Sequence, residues 1–161
     1  NLVNRVHIAG LVHDVGKIGV PDHILLKTDR LDDEEFEIIK THSEIGERIL
    51  GCMPELQRIR AGVRSHHERW DGRGYPDGIA EEEIPLLGRI VGITDAFDAM
   101  CSNRVYRKSL AREDALNEIA SGAGSQFDPE LAVCFLSMMK NEESEAAYRF
   151  PQEAVPTRRS A

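Results

Sequence analysis

Apolar residues recur every three or four positions along most of this chain, which is the spacing expected of amphipathic α-helices. The pattern is clear from the start, where Leu2, Val6 and Ala9 are followed at the same spacing by His13. No segment shows the alternation of apolar and polar residues that is typical of a half-buried β-strand. The sequence therefore predicts an all-α fold with five to seven helices.

Capping residues, glycines and prolines indicate where these helices begin and end. Asp32 and Glu35 have the spacing of an N-terminal capping box, and Gly51 is expected to end the single helix that starts there. Proline is common in the first turn of a helix, so Pro21 and Pro54 are expected to lie near the starts of two further helices.

The C-terminal half is predicted to contain three helices. Residues 86–100 form the most apolar of them. Ser109 is a candidate cap for the second helix. Asp128 combines a capping side chain with Pro129 at the first helical position, and the third helix is expected to run from there to about Lys140.

Length, charge and cysteine usage narrow the class of protein. The chain has 161 residues, which suits one domain, predicted to span residues 1–140 and to be followed by a charged, mobile tail over 141–161. A net charge of -8 argues against DNA as a partner. The three cysteines show no CxxC spacing and no apolar run approaches the ~20 residues of a membrane span, so a cytoplasmic location is predicted.

Six side chains that can ligate metals lie on, or at the end of, apolar helix faces that should converge on one core. They are His13, Asp14, His42, His66, His67 and Asp95. Burying so many titratable groups without partners would cost several kcal/mol each, and a shared metal cluster removes that cost. Mixed imidazole and carboxylate ligands suit Fe, Mn, Zn or Co.

The spacing of these residues favours two metal ions. Neighbouring residues on a helix point about 100° apart, so His66 and His67 are expected to reach two different ions. Asp14 has two carboxylate oxygens and could bridge them. Two metals about 3.5–4 Å apart can clamp a phosphate ester for in-line displacement. This pattern predicts a metal-dependent hydrolase of a phosphate ester.

Seven segments resemble the HD-GYP subgroup of the HD phosphohydrolase superfamily. They are His13-Asp14-Val15-Gly16-Lys17, Lys40-Thr41-His42, His66-His67-Glu68, Asp71-Gly72-Arg73-Gly74-Tyr75-Pro76, Asp95-Ala96-Phe97-Asp98-Ala99, Arg104-Val105-Tyr106-Arg107 and Gly124-Ser125-Gln126-Phe127-Asp128-Pro129. The resemblance covers roughly residues 1–140, and this set of segments is highly specific.

The resemblance implies an all-α HD-domain helical bundle that acts in bacterial second-messenger signalling. Members of the subgroup hydrolyse cyclic di-GMP, or other cyclic dinucleotides, to linear pGpG or GMP. They use two or three divalent metals, often iron or manganese, with zinc, nickel and cobalt as further candidates. The chain would then be the output half of a larger regulatory protein with an N-terminal regulatory domain, such as a two-component response regulator.

The resemblance also assigns roles to individual residues. The same six residues become metal ligands, with Asp14 also catalytic, and Lys17 would lie beside the scissile phosphate and assist the leaving group. Asp98, Arg104 and Arg107 would hold the dinucleotide, and Tyr75 would lie in the loop beside it. These side chains suit the task, because a carboxylate can accept hydrogen bonds from a guanine edge and guanidinium groups fork onto phosphate oxygens.

Two further features of the family concern the completeness of the metal site and the protein partners of the domain. The family carries a further His ligand, and in three-metal members a Glu, on a helix upstream of His13. This sequence does not include that position, so one metal site is expected to be incomplete here. The loop from Gly72 to Pro76 is implicated in docking GGDEF-domain proteins. The sequence does not distinguish between two roles for this loop, a lid over the substrate and a surface that binds a partner.

Two alternative functions remain. The first is a phosphodiesterase for another cyclic dinucleotide, such as cyclic GMP-AMP, or for another nucleotide. The second is a non-catalytic signalling or docking module, which would be marked by lost ligands, whereas the six ligands are intact in this chain.

Overall fold

A computed structural model describes residues 1–102 and 109–149, with side chains up to residue 141. The α-helices are α1 (Leu2–Val12), α2 (Asp22–Leu25), α3 (Asp33–Lys40), α4 (His42–Gly51), α5 (Arg60–Arg64), α6 (Leu86–Cys101), α7 (Arg112–Gly122) and α8 (Pro129–Arg149). Short 3-10 helices span Val15–Gly19, Pro54–Leu56 and Glu81–Glu83. The described residues form one isolated bridge, between Ala123 and Phe127, and no β-strand. The all-α prediction is confirmed.

The predicted capping box at the start of α3 is present, but the helix that follows is shorter than expected. Asp32 Oδ1 accepts from the backbone N–H of Glu35 at 2.9 Å, and Glu35 Oε2 accepts from that of Asp32 at 2.9 Å. The single helix expected up to Gly51 is in fact α3 and α4, which meet at Thr41. The Thr41 hydroxyl donates to the carbonyl of Ile38 at 2.6 Å, which is the kind of local bond that competes with helix continuation.

The C-terminal helices agree with the predicted order and differ at two boundaries. Asp128 Oδ1 accepts from the backbone N–H groups of Glu130 and Leu131, which confirms the cap of α8. The prediction of Ser109 as a cap is wrong, since α7 has Ala111 at its N-cap and acidic residues in its first turn, where the helix dipole favours them. The helix α8 continues past the expected end near Lys140.

The hydrophobic core consists of two clusters that meet on α6. The first cluster joins α6 to α1, α4 and α5, and its buried residues are Ala9, Leu50, Ile59, Val63, Leu87 and Val91. The second joins α6 to α7 and α8, and its buried residues are Ile93, Ile119, Phe127, Ala132, Phe135 and Met139. The helix α6 therefore forms the centre of the bundle, with Asp95 beside the change from one cluster to the other.

Within the described residues, no helix combines the length and the apolar character needed to cross a bilayer.

Candidate metal centre

Four separate segments bring the six predicted ligand residues together. The turn after α1 carries His13 and Asp14, the start of α4 carries His42, the turn after α5 carries His66 and His67, and the middle of α6 carries Asp95. His42 and His66 are almost fully buried, at 1 and 2 % exposure. The side chains that the sequence groups only by chemical type are therefore neighbours in space.

Four of these residues form a compact donor group. One ligand atom from each of Asp14, His42, His66 and His67 lies within 4.8 Å of the others. His42 Nε2 is 3.4 Å from Asp14 Oδ1 and 3.4 Å from His66 Nε2. Nitrogen and oxygen atoms at these separations can surround a single divalent cation.

This geometry corrects the expectation that His66 and His67 reach two different ions because neighbouring helical residues point in different directions. The helix α5 ends at Arg64, so both histidines lie in the turn that follows it rather than on the helix. Their ring centroids are only 4.0 Å apart. The 100° rule for neighbouring helical residues does not apply in a turn, and both can belong to one donor group.

The remaining ligand residues form a second group that shares Asp14 with the first. His13 Nε2 lies 3.4 Å from Asp14 Oδ2 and 3.5 Å from Asp95 Oδ1. The two oxygens of Asp14 therefore face different histidines, with Oδ1 toward His42 and Oδ2 toward His13. This is the arrangement that a carboxylate bridging two adjacent cations requires.

Backbone carbonyls orient three of the histidines in the same way. Nδ1 of His13, His42 and His66 lies 2.6–2.7 Å from a carbonyl three residues earlier. A carbonyl can only accept, so each Nδ1 carries a proton and each Nε2 is directed at the cluster. Metal-binding histidines are commonly fixed by such a bond from the nitrogen that does not bind the metal.

Burial keeps the first group's histidines neutral. Burial lowers the pKa of His66 to about 4 and that of His67 to about 3. The pKa of His42 is lowered for the same reason. A lone pair on each imidazole ring is therefore available for a cation at neutral pH, which is the state that metal binding needs.

The second group carries more charge. The carboxylates of Asp14 and Asp95 raise the pKa of His13 to about 10. Burial favours the neutral form of Asp14, but His13 and Lys17 outweigh it and hold the pKa of that carboxyl well below its usual range. His13 Nε2 is buried and has no well-formed hydrogen bond. A buried donor atom of this kind needs a partner, and the donor set fits a divalent cation.

Two glycines allow the segments to approach closely enough to form the cluster. A Cβ on Gly16 would lie 1.9 Å from the carbonyl oxygen of His42, and one on Gly92 would lie 2.7 Å from that of His66. Any side chain at either position would push the turn after α1 away from α4, or α6 away from the histidine turn.

A cavity of about 410 Å³ borders this cluster of candidate metal ligands. Tyr75, from the loop after the histidine turn, lies in its wall with its ring stacked on His67 at a centroid distance of 4.8 Å. Burial raises the pKa of the Tyr75 phenol, which therefore remains a neutral hydroxyl. The cavity volume is in the range of small-molecule sites.

The other predicted functional residues are distributed around this cluster. The Lys17 ammonium donates to Asp14 Oδ2 at 2.5 Å. Asp98 is exposed and lines a second, smaller cavity of about 240 Å³ with His13 and Asp95. Arg104 and Arg107 lie outside the described residues.

Sequence reasoning did not find the residues that anchor the Tyr75 loop. Glu68 Oε1 accepts from the backbone N–H groups of Asp77 at 2.6 Å and Gly78 at 3.1 Å. Arg64 binds the Asp77 carboxylate with two bonds of 2.7 Å. For Glu68, its position directly after the two histidines was a signal in the sequence. The pairing of Arg64 with Asp77 spans 13 residues and leaves no such signal.

Comparison with known proteins agrees with this geometry. A family described as "HD domain" matches residues 1–131, and the chain belongs to this family. The resemblance noted in the sequence is thereby confirmed.

Individual relatives carry more specific names. A protein of Thermotoga maritima named cyclic di-GMP phosphodiesterase is 48% identical over 140 residues, which are 86% of this chain and 38% of that protein. A Vibrio cholerae protein named 3'3'-cGAMP-specific phosphodiesterase 2 is 38% identical over 130 residues, or 80% of this chain and 25% of that protein.

A solved structure shares the fold. It is a cyclic GMP-AMP-specific phosphodiesterase of V. cholerae, with a TM-score of 0.57 and 22% identity, and the match covers 91% of this chain and 34% of that one. The chain thus spans less than two fifths of the length of each of these relatives.

Proposed function

We propose that this chain hydrolyses cyclic di-GMP to linear pGpG or GMP at a centre of two divalent metals. The observation that carries the proposal is the position of Asp14 between two donor groups, one containing His42, His66 and His67 and the other containing His13 and Asp95. Iron or manganese suits this mixture of imidazole and carboxylate, and zinc, nickel and cobalt are alternatives.

We assign different chemical roles to the residues of the cluster. Divalent ions held there would neutralise phosphodiester charge and make a water molecule a stronger nucleophile. Neutral imidazoles and Asp14 would bind these ions. The Lys17 ammonium, 2.5 Å from Asp14, is assigned to the leaving oxygen, where it would donate a proton or a hydrogen bond.

The substrate assignment rests on the named relatives together with the groups around the cluster. The relative named for cyclic di-GMP is 48% identical, against 38% for the one named for 3'3'-cGAMP. We assign dinucleotide binding to Tyr75, Asp98, Arg104 and Arg107. Hydrolysis of cyclic GMP-AMP is the second candidate, since the two substrates differ in one base only.

A docking role for the loop from Gly72 to Pro76, with a GGDEF-domain protein as partner, is a separate part of the proposal. The loop lines the cavity through Arg73, Gly74 and Tyr75. Substrate contact and partner contact would therefore compete for the same segment.

The experiment combines metal analysis with turnover. The anaerobically purified chain should retain about two metals and convert cyclic di-GMP faster than 3'3'-cGAMP. His66→Ala and Asp95→Ala should lower both metal content and turnover. The matched control is His23→Ala, because His23 is an exposed histidine outside the cluster. A folded, reconstituted chain with no metal, or normal turnover in either ligand variant, would contradict the proposal.

A further inference from the structure

An aromatic residue with no role in the metal cluster lies in the wall of the cavity. Phe36 on α3 lines the same cavity as His67 and Asp95, and its ring is edge-to-face with Tyr75 at a centroid distance of 6.4 Å. Phe36 is 45% exposed. The neighbouring Ile38 is 40% exposed but does not line the cavity, so exposure alone does not distinguish Phe36.

A cation holds this aromatic pair in place. The Lys40 ammonium lies 4.8 Å from the centroid of the Phe36 ring and 5.7 Å from that of Tyr75. It also forms an ion pair with Glu37 at 2.6 Å. Cation–π contacts at these distances are attractive and favour one arrangement of the two rings. The wall therefore presents ordered aromatic surface to the cavity.

Four described cations line the cavity, and three of them are neutralised. The ion pairs are Lys40–Glu37 at 2.6 Å, Arg69–Asp71 at 2.7 Å and Arg89–Asp128 at 2.7 Å. The fourth is Arg73, whose guanidinium forms no ion pair with any described residue. An anion that enters the cavity would therefore meet Arg73 as the described lining cation that has no ion-pair partner within 4 Å.

The backbone that carries Arg73 is held firmly. Its N–H donates to Asp71 Oδ1 at 3.1 Å. Gly72 on one side has φ +74°, and a Cβ on Gly74 on the other side would lie 2.4 Å from the backbone nitrogen of Arg69. A fixed backbone lowers the entropy cost of using the long side chain to bind a ligand.

We infer that Phe36 and Arg73 form a nucleotide subsite on the wall of this cavity. Phe36 stacks against a base, and Arg73 pairs with a phosphate oxygen. Every base has a π-face that can stack on an aromatic ring, and guanidinium groups match phosphate geometry. The inference rests on the proposed function for the identity of the ligand as a nucleotide, and it adds two residues to its recognition.

Substitutions at the two positions test the subsite. Phe36→Leu keeps an apolar side chain and removes the ring, whereas Phe36→Trp keeps a ring, and Arg73→Gln removes the charge. The matched controls are Ile38→Ala on the same helix and Arg58→Gln at an exposed arginine outside the cavity. The measurements are the Kd of linear pGpG by calorimetry on the full chain, and kcat and KM for cyclic di-GMP on the metal-loaded chain.

The expected result is a loss of binding without a loss of chemistry. Phe36→Leu and Arg73→Gln should each weaken pGpG binding about tenfold, or ~1.4 kcal/mol, which is the size of one base stack or one charge-assisted bond. KM should rise by a similar factor while kcat and metal content stay near those of the original chain. Phe36→Trp should restore binding, because it retains a ring that can stack on a base.

The outcomes separate this inference from the proposed function. If the original chain hydrolyses cyclic di-GMP and both variants match their controls in Kd and KM, the subsite is refuted and the activity stands. If the original chain does not hydrolyse cyclic di-GMP but binds pGpG more tightly than both variants, the subsite stands and the activity is refuted. If the original chain does not bind pGpG, the subsite is refuted.

Discussion

The two hydrophobic clusters that meet on α6 belong to regions built in different ways. The region around the second cluster is made of the regular helices α7 and α8, and its buried residues are almost all apolar. The region around the first cluster contains short helices, 3-10 turns and the buried polar residues His42, Ser43, Ser65, His66 and Glu68. Some of these groups have no protein partner, such as the Glu68 Oε2 atom.

This difference indicates that the two regions depend on different sources of stability. Apolar burial is sufficient for the C-terminal region, because its core contains few polar groups that need a partner. The N-terminal region also contains His13 Nε2, a candidate ligand atom that is buried without a well-formed hydrogen bond, so part of its stability should come from a bound metal. The following predictions test this contrast, from the largest expected effect to the smallest.

The largest effect should come from the apolar core of the C-terminal region. Ile119 is fully buried, so Ile119→Ala should lower the free energy of unfolding by about 3–4 kcal/mol, since it removes packed methyl groups and leaves a cavity. Denaturant titration in the presence and absence of metal measures this loss. The loss should be the same in both conditions, and a strong dependence on metal would show that the two regions are not independent.

Each bound metal should stabilise the histidine region by a somewhat smaller amount than the loss in Ile119→Ala. Metal at a free concentration of about 100 times its Kd should raise the free energy of unfolding by ~2.7 kcal/mol per site, because only the folded chain presents the donor groups together. Thermal melts before and after chelation measure this increment. It should be retained in Ile119→Ala and largely lost in His66→Ala, and an equal increment in both variants would contradict the contrast.

The anchor of the Tyr75 loop should have an intermediate effect. Glu68→Ala removes the acceptor for the backbone N–H groups of Asp77 and Gly78 and should lower the free energy of unfolding by about 2 kcal/mol. Glu68→Gln retains an acceptor oxygen and should lose less than half of that amount. Urea titrations of both variants provide the comparison, and equal losses would assign the effect to charge rather than to the loop bonds.

The smallest effect concerns protons rather than stability. His13 has a pKa of about 10 in the metal-free chain, so it is protonated at pH 8 and must lose a proton when Nε2 binds a metal. His66 and His67 have pKa values of about 4 and 3 and release none at that pH. His13→Gln should therefore release about one proton fewer than the original chain on binding metal.

Calorimetry in buffers with different ionisation enthalpies measures this difference at pH 8. Below pH 6 the difference in proton release between the two chains should remain about one, because the pKa of His13 lies far above that range and the residue is still protonated. Equal proton release from the original chain and from His13→Gln would show that His13 does not bind metal through Nε2.

Much of the fold could be predicted because helical signals are local. The caps at Asp32 and Asp128 and the apolar run of α6 depend on neighbours within a few positions, and all three are present in the structure. The break at Thr41 was missed because a single hydroxyl bond to Ile38 interrupts a pattern that remains apolar on both sides.

The chain by itself determined which side chains could bind metal. Histidine and aspartate at those positions suit a transition metal wherever the fold places them, and the HD-GYP segments identified the family. Tertiary structure alone decided how these side chains are divided between the two donor groups. Asp14 faces both His13 and His42 because Gly16 lets the turn after α1 lie against α4, which no spacing along the chain records. Phe36 likewise reads as an ordinary exposed helical residue until the fold places it beside Tyr75, since contacts between distant segments depend on packing rather than on local sequence.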